Sequence, residues 1–413
     1  MDVNFFKSIR NELTQNILPY WEKYSRDTTK GNEGFFGIIG NDNSQNEKSP
    51  RAVVMTSRFL WSYSIAARFF KDTRYLEMAD FAADVILNKF FDKTNGGVYW
   101  TVMPNGTPDV SKKQIYGEAF CCYGLSEYAA AIRELRGDKN QAELHMTKAL
   151  ELFDLMEKYA RDRKFGGYIE ACAEDWTETD DMSLSAIDLN CAKSMNTNLH
   201  VMEAFTNLYR TLPVVFPEAA AKRQEIGTAL RELIHTTNTK ILQNDGHLGM
   251  FFNMDWGRIE DEISYGHDIE ASWLLWEAAC ELNDAEIKEE TRITALHMAE
   301  VALNEGVDSE TGAMENLYHN KKRDRTRIWW VQAEAINGFY NAWEMTGEKR
   351  YSDAVEKVWN WIQNFQIDKT GGEWWWAVTP DGTPDLKNPK GGNWKTAYHN
   401  SRCCFELLRR SGN

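Results

Sequence analysis

One motif occurs twice in this chain and constrains the fold more than any other feature. Asp92-Lys93-Thr94-Asn95-Gly96-Gly97 runs into Trp100 and then into Pro104-Asn105-Gly106-Thr107-Pro108-Asp109. Asp368-Lys369-Thr370-Gly371-Gly372 runs into Trp376 and then into Pro380-Asp381-Gly382-Thr383-Pro384-Asp385, an offset of 276 residues (368 − 92). Weaker glycine-plus-aromatic turns stand at Gly34-Phe35-Phe36-Gly37, Gly166-Gly167-Tyr168, Gly246-His247-Leu248-Gly249 and Thr311-Gly312-Ala313-Met314. Self-similarity of this kind marks one supersecondary unit used repeatedly.

The segments between the turns carry helical periodicity. Tyr351, Ala354, Val355, Val358, Trp359, Ile362 and Phe365 recur on one helix face. Similar patterns predict twelve helices, over 3–22, 51–70, 74–90, 115–135, 139–160, 192–212, 217–242, 267–282, 285–304, 327–346, 350–366 and 395–410. Six helical hairpins in a row would expose two ends that need polar capping units. The first and last units carry no such cap, so a closed ring is expected. It has six inner helices, six outer ones and one domain over 1–413, rather than two helical domains. The turns lead into the inner helices and gather on one rim.

Composition narrows the partners. With 47 Lys+Arg against 62 Asp+Glu the net charge is −15, which opposes nucleic acid and anionic membranes. The chain has no apolar run of membrane-spanning length and its start has no signal-peptide pattern. The 7 cysteines have no metal-ligand spacing and read as reduced thiols of a cytoplasmic protein. No cofactor or metal motif is present: HExxH, a Walker loop, Rossmann spacing and the GxSxG elbow are all missing. The 16 tryptophans exceed what a core needs. Trp100, Trp329, Trp330, Trp374, Trp375, Trp376 and Trp394 belong to turns or inner helices, where a rim of flat faces can stack on sugar rings.

Among the 8 histidines, His200, His267 and His399 fall near the starts of inner helices, so they converge on that rim. Histidine exchanges protons near neutral pH. His267 and Glu270 are i, i+3 on one face, and Asn196 and His200 are i, i+4. Arg58, Tyr116, Trp329, Trp330 and Glu334 occupy corresponding ends of other inner helices.

Six strings then resemble the N-acylglucosamine 2-epimerase superfamily, and within it the cellobiose 2-epimerases. They are Ser57-Arg58-Phe59-Leu60-Trp61, Gly96-Gly97-Val98-Tyr99-Trp100, Met195-Asn196-Thr197-Asn198-Leu199-His200, Ser264-Tyr265-Gly266-His267-Asp268-Ile269-Glu270-Ala271, Trp329-Trp330-Val331-Gln332-Ala333-Glu334 and Trp394-Lys395-Thr396-Ala397-Tyr398-His399-Asn400. The resemblance implies an all-α (α/α)6 barrel and cofactor-free, metal-free inversion at C2 of a reducing-end sugar. It implies His267 and His399 as the two proton-transfer groups, and His200 as an aid to ring opening. Glu270 would orient His267, and Arg58, Asn196 and Tyr116 would stabilise an enediolate. Trp329, Trp330, Glu334 and Trp394 would bind substrate. A small carbohydrate is the expected partner, with the protein acting as a monomer.

Three other readings remain open at this level. An (α/α)6 glycoside hydrolase would need a carboxylate pair drawn from Glu118, Glu174 and Glu334. A monosaccharide epimerase or isomerase would act on N-acetylglucosamine or mannose. A non-catalytic toroid would only bind carbohydrate or protein.

Overall fold

The computed structural model describes residues 1–185 and 188–412. Outer helices α1 (3–24), α3 (76–90), α5 (139–160), α7 (220–241), α9 (285–306) and α11 (349–366) alternate with inner ones. The inner helices are α2 (Val53–Phe70), α4 (Ile115–Leu135), α6 (Met195–Val215), α8 (Tyr265–Leu282), α10 (Trp329–Thr346) and α12 (Tyr398–Ser411). This is the expected (α/α)6 barrel. The two sets differ in sequence because they differ in surroundings. Every residue of α4 from Ile115 to Ile132 is buried, as befits a helix covered on all sides. On α11 the stripe Tyr351, Ala354, Val355, Val358 and Trp359 is buried while Glu356, Lys357 and Asn360 are exposed.

Closure is visible twice. Each inner helix packs on its two inner neighbours, and α12 packs on α2. On the rim, the short strand before each inner helix pairs antiparallel with the turn region of the next unit. Arg51-Ala52 pairs with Thr101-Val102, Lys113-Gln114 with Ala171-Cys172, and Lys193-Ser194 with Phe251-Phe252. Ile263-Ser264 pairs with Leu317–His319, and Arg327-Ile328 with Ala377-Val378. The sixth pair, Gly391-Gly392 with Ile38-Ile39, runs from the last unit back to the first. These strands correct the helix starts that periodicity predicts at 51, 192 and 327. Backbone groups there bond to a neighbouring unit, which no local pattern reveals. Likewise α12 begins at Tyr398, not 395, and α8 begins at Tyr265, not 267.

Four of the outer helices end on an i→i−5 bond, Phe91 N to Ile86 O, Arg161 N to Met156 O, Leu242 N to Thr237 O and Ile367 N to Ile362 O, and α1 carries one in its interior, Leu18 N to Leu13 O. In α1 this widened turn precedes Pro19, which supplies no N–H. The repeated Asp then builds the turn. Asp92 accepts from the N–H groups of Thr94 and Asn95, and Asp368 from those of Thr370 and Gly371. A buried cation closes each one: Lys113 on Asp92, Lys193 on Asp162, Arg327 on Asp308 and Lys390 on Asp368. Gly97 has φ +72°, and a Cβ there would come within 2.8 Å of Glu118 Oε1, which caps the Val98 N–H. No helix among the described residues is long and apolar enough to cross a membrane. All seven cysteines are unpaired.

Candidate active site

At the rim end of the barrel lies a cavity of about 350 Å³. His200, His267 and His399 all line it, from α6, α8 and α12. So do Arg58, Tyr116, Asn196, Glu270, Trp329, Trp330 and Trp394. Ten of the eleven residues singled out by the sequence therefore face one space. They converge because each lies in the first turns of an inner helix, or in the loop just before one, and those ends share the rim.

The imidazoles are fixed through Nδ1. His267 Nδ1 is 2.7 Å from Ser264 Oγ, His399 Nδ1 is 2.7 Å from Glu334 Oε1, and His200 Nδ1 is 2.7 Å from Glu203 Oε2. With Nδ1 engaged, Nε2 is the nitrogen available to a substrate. The Trp330 indole packs against two of them, its ring centroid 4.6 Å from His267 and 5.8 Å from His399. Burial, then the charge of His200, lowers His267 to about 3. Burial, then the Arg58 and Arg402 charges, holds His399 well below the ordinary imidazole range. Burial lowers His200 against the pull of Glu203. Burial works against ionisation of Glu203, yet Arg402 and His200 carry its carboxyl down to about 2.

Arg58 is buried among rings. Its Nη1 donates to the Trp394 carbonyl at 2.8 Å and its Nη2 to the Tyr116 hydroxyl at 2.9 Å. The guanidinium carbon sits 4.5 Å from the Phe120 centroid and 5.0 Å from that of Tyr398. This places a fixed cation and a tyrosine hydroxyl in the cavity wall. The Asn196 side-chain oxygen is buried with no partner of its own, an acceptor suited to a sugar hydroxyl.

Two expected roles change. Glu270 does not hold His267; Ser264 does. Glu270 instead accepts from Arg402 and lies 3.9 Å from His399 Nδ1. The i, i+3 spacing put both on one helix, but Glu270 faces the barrel axis, where α12 brings Arg402. Glu334 is fully buried and does not line the cavity. It accepts from Trp273 Nε1 at 3.0 Å and from Arg402 at 2.6 Å while holding His399. It lies one turn below Trp330, too deep for substrate. Burial, then the neighbouring Glu334 charge, pushes the Glu270 carboxyl up; burial pushes that of Glu334 up as well.

The tryptophan rim divides. Trp376 joins Trp329, Trp330 and Trp394 in the cavity wall, and Trp100 lines a smaller adjoining pocket with Trp394. Trp374 is instead buried against α1, donating to Glu12 at 2.8 Å, and Trp375 packs on Ala313, Trp361 and Val378. Consecutive residues of an extended segment project in different directions, so a run of three cannot all face one cup.

The carboxylates considered for a hydrolase pair do not line the cavity. Glu118 caps the Val98 N–H, Glu174 is exposed and Glu334 holds His399. Glu270, Glu334 and His399 approach closely enough to ligate an ion, but Arg402 Nη2 already donates to both carboxyls. Sequence reasoning missed Glu203, Ser264 and Arg402. Each lies three residues from a histidine, so the i, i+3 rule applied to His200, His267 and His399 would have found them. Asn316, which also lines the cavity, sits just before the rim strand Leu317–His319 and carried no such signal.

The family model for N-acylglucosamine 2-epimerase (GlcNAc 2-epimerase) matches residues 34–403. The cellobiose 2-epimerase of Bacteroides fragilis is 38% identical over 410 residues, covering 99% of this chain and 100% of its own. The solved cellobiose 2-epimerase of Spirochaeta thermophila superposes with a TM-score of 0.88 at 37% identity, covering 98% of this chain and 96% of its own. That of Bacillus thermoamylovorans does so with 0.88 at 34%, covering 98% and 99%. A cavity with three tethered histidines, a buried arginine and a tryptophan wall, on a chain matched from end to end, has one consequence: the protein belongs to the N-acylglucosamine 2-epimerase family.

Proposed function

We propose that the protein inverts C2 of the reducing-end sugar of β-1,4-linked disaccharides, converting cellobiose to glucosyl-mannose and lactose to epilactose, with mannobiose a further candidate. The carrying observation is that two imidazoles, His267 and His399, line a single cavity and contact the same indole, Trp330. Inversion removes a proton from one face of a carbon and returns one to the other, so it needs two groups. Relatives 34–38% identical that cover 98–99% of the chain are cellobiose 2-epimerases.

The ring opens first, with His200 assisting, and exposes an aldehyde that acidifies the C2–H. One imidazole takes that proton and leaves a cis-enediolate; the other delivers a proton to the opposite face. One group must start as the proton acceptor and the other must have a proton to give. His267, tied only to a hydroxyl, is the acceptor. The carboxyls of Glu270 and Glu334, both pushed toward their protonated forms, keep a proton beside His399. After turnover the two states are exchanged, which is the state the reverse reaction needs. Arg58, Tyr116 and Asn196 meet the enediolate oxygens; fixed donors at developing charge form a large term in such steps. Trp330 and Trp394 offer stacking faces to the sugar rings. A closed ring leaves no end for a partner to cover, so a monomer is the working unit, and seven unpaired cysteines suit the reducing cytoplasm.

Incubation with cellobiose, lactose and mannobiose, followed by NMR, tests this reading. A C2-epimeric disaccharide that gains deuterium at C2 in D₂O is the expected product. Free glucose, or no exchange, would refute it.

A further inference from the structure

Arg402 lies on α12 one turn below His399 and is 1% exposed. Its Nη1 donates to Glu203 and lies against the Tyr398 hydroxyl; its Nη2 donates to Glu270 and, at 2.6 Å, to Glu334. Those three carboxyls come from α6, α8 and α10. The guanidinium carbon sits 4.9 Å from the Trp273 centroid and 4.4 Å from that of Tyr398. Glu203 in turn holds His200, and Glu334 holds His399, each at 2.7 Å. One guanidinium thus stands a single carboxyl away from two of the three cavity histidines. His267, tied to Ser264, stands outside this network.

We propose that Arg402 is a positioning residue that couples His200 to His399, so that the group assisting ring opening and one of the two C2 groups are oriented and charged as a unit. The assignment of those roles rests on the epimerase reading; the coupling itself does not. A planar fork of five donors can bridge three carboxyls, and a lysine ammonium on a flexible stem cannot reproduce it. The groups facing Arg402 are Glu203 from α6, Glu270 and Trp273 from α8, Glu334 from α10, and Tyr398 and His399 from α12. Tyr123 of α4 and Arg58 of α2 reach the same Tyr398 ring. Only Arg402 among these cations contacts the three carboxyls. The positive charge of Arg402 lowers both His200 and His399, so its loss favours their protonated forms.

Arg402 also forms part of the wall of a second cavity, of about 260 Å³, with Trp61, Tyr123 and Trp273. Truncation at this position would open the carboxyls to that space, which can admit a guanidinium ion.

The experiment compares wild type, Arg402→Ala and Arg402→Lys, with histidines labelled in ¹⁵N and followed by NMR across pH, alongside kcat and KM for cellobiose. In Arg402→Ala, both His200 and His399 should titrate at higher pH than in wild type, while His145 and His247 stay put. Its kcat should fall about ten- to a hundredfold, as when a group that orients a reacting ligand is lost, with KM little changed. Millimolar guanidinium chloride should restore part of the activity, and equimolar sodium chloride should not. If Arg402→Ala does not fold, Arg402→Lys decides: it should lower kcat at unchanged KM and displace both titrations together. Histidines that titrate as in wild type, or a shift in only one of the two, would overturn the coupling. A wild-type protein that epimerises no sugar would overturn the functional reading instead, and the titrations would still decide the coupling.

Discussion

His399 Nδ1 lies 2.7 Å from Oε1 of Glu334, a carboxyl with no exposed surface. The imidazole is therefore oriented from beneath, with its other nitrogen left for the cavity. His267 is tethered in the same way by a hydroxyl, so the two rings are alike in how Nδ1 is held and unlike in the group that holds it.

Replacing either ring should stop inversion. His267→Asn and His399→Asn should each lower kcat by about 10²–10⁴, the usual contribution of a general acid or base, with the thermal unfolding transition retained. Turnover within tenfold of wild type in either variant would refute the two-group assignment. The measurement is initial-rate epimerisation of cellobiose alongside a melting curve.

Trp330 packs against both rings. Trp330→Ala should raise KM through lost stacking, worth about 0.5–1.5 kcal/mol beyond area burial, and lower kcat because both imidazoles lose a wall. Trp330→Phe should recover much of the KM and kcat. Steady-state kinetics on the same disaccharide separates the two effects.

The histidines sit below their ordinary range because burial disfavours the charged form. A neutral base is lost only when pH falls through its own lowered value. The acid limb of kcat/KM should therefore lie below pH 6.5, the reference histidine value. A pH-rate profile with its acid limb at or above 6.5 would contradict this.

His247 behaves in the opposite sense. Burial disfavours its charge, but Asp268, with Oδ2 2.8 Å from Nδ1, and Glu305 raise it above 6.5. A group raised in the folded state contributes stability that is complete below the unfolded value and lost as pH rises through the folded one. The melting temperature should fall above about pH 6.5 in wild type, and fall less over that window in His247→Gln. Equal slopes in the two proteins would refute the linkage.

Lys193 is wholly buried and donates to Asp162 at 2.6 Å, to the Gly166 carbonyl at 2.8 Å and to the Met254 carbonyl at 2.7 Å. Lys193→Met removes one partner of a buried pair and should cost about 3–5 kcal/mol, read as a lower urea midpoint. The folded variant should keep its kcat, because the residue lies outside the cavity.

Much of this molecule is local and was legible as such. Twelve amphipathic or wholly apolar segments, six similar turns and three histidines near inner-helix starts are all properties of short windows. They determined the ring, its rim and the membership of the cavity from Arg58 to His399. What the tertiary structure alone decided is which groups touch across the axis. Ser264 rather than Glu270 holds His267, Glu334 reaches from α10 to His399 on α12, and Arg402 gathers carboxyls that are 132 and 199 residues distant along the chain. A helix pattern reports which face is buried, whereas a hydrogen bond between different helices depends on how several helices pack together at once. The sequence by itself therefore brought these side chains to one rim, and only the packed barrel settled how each is held.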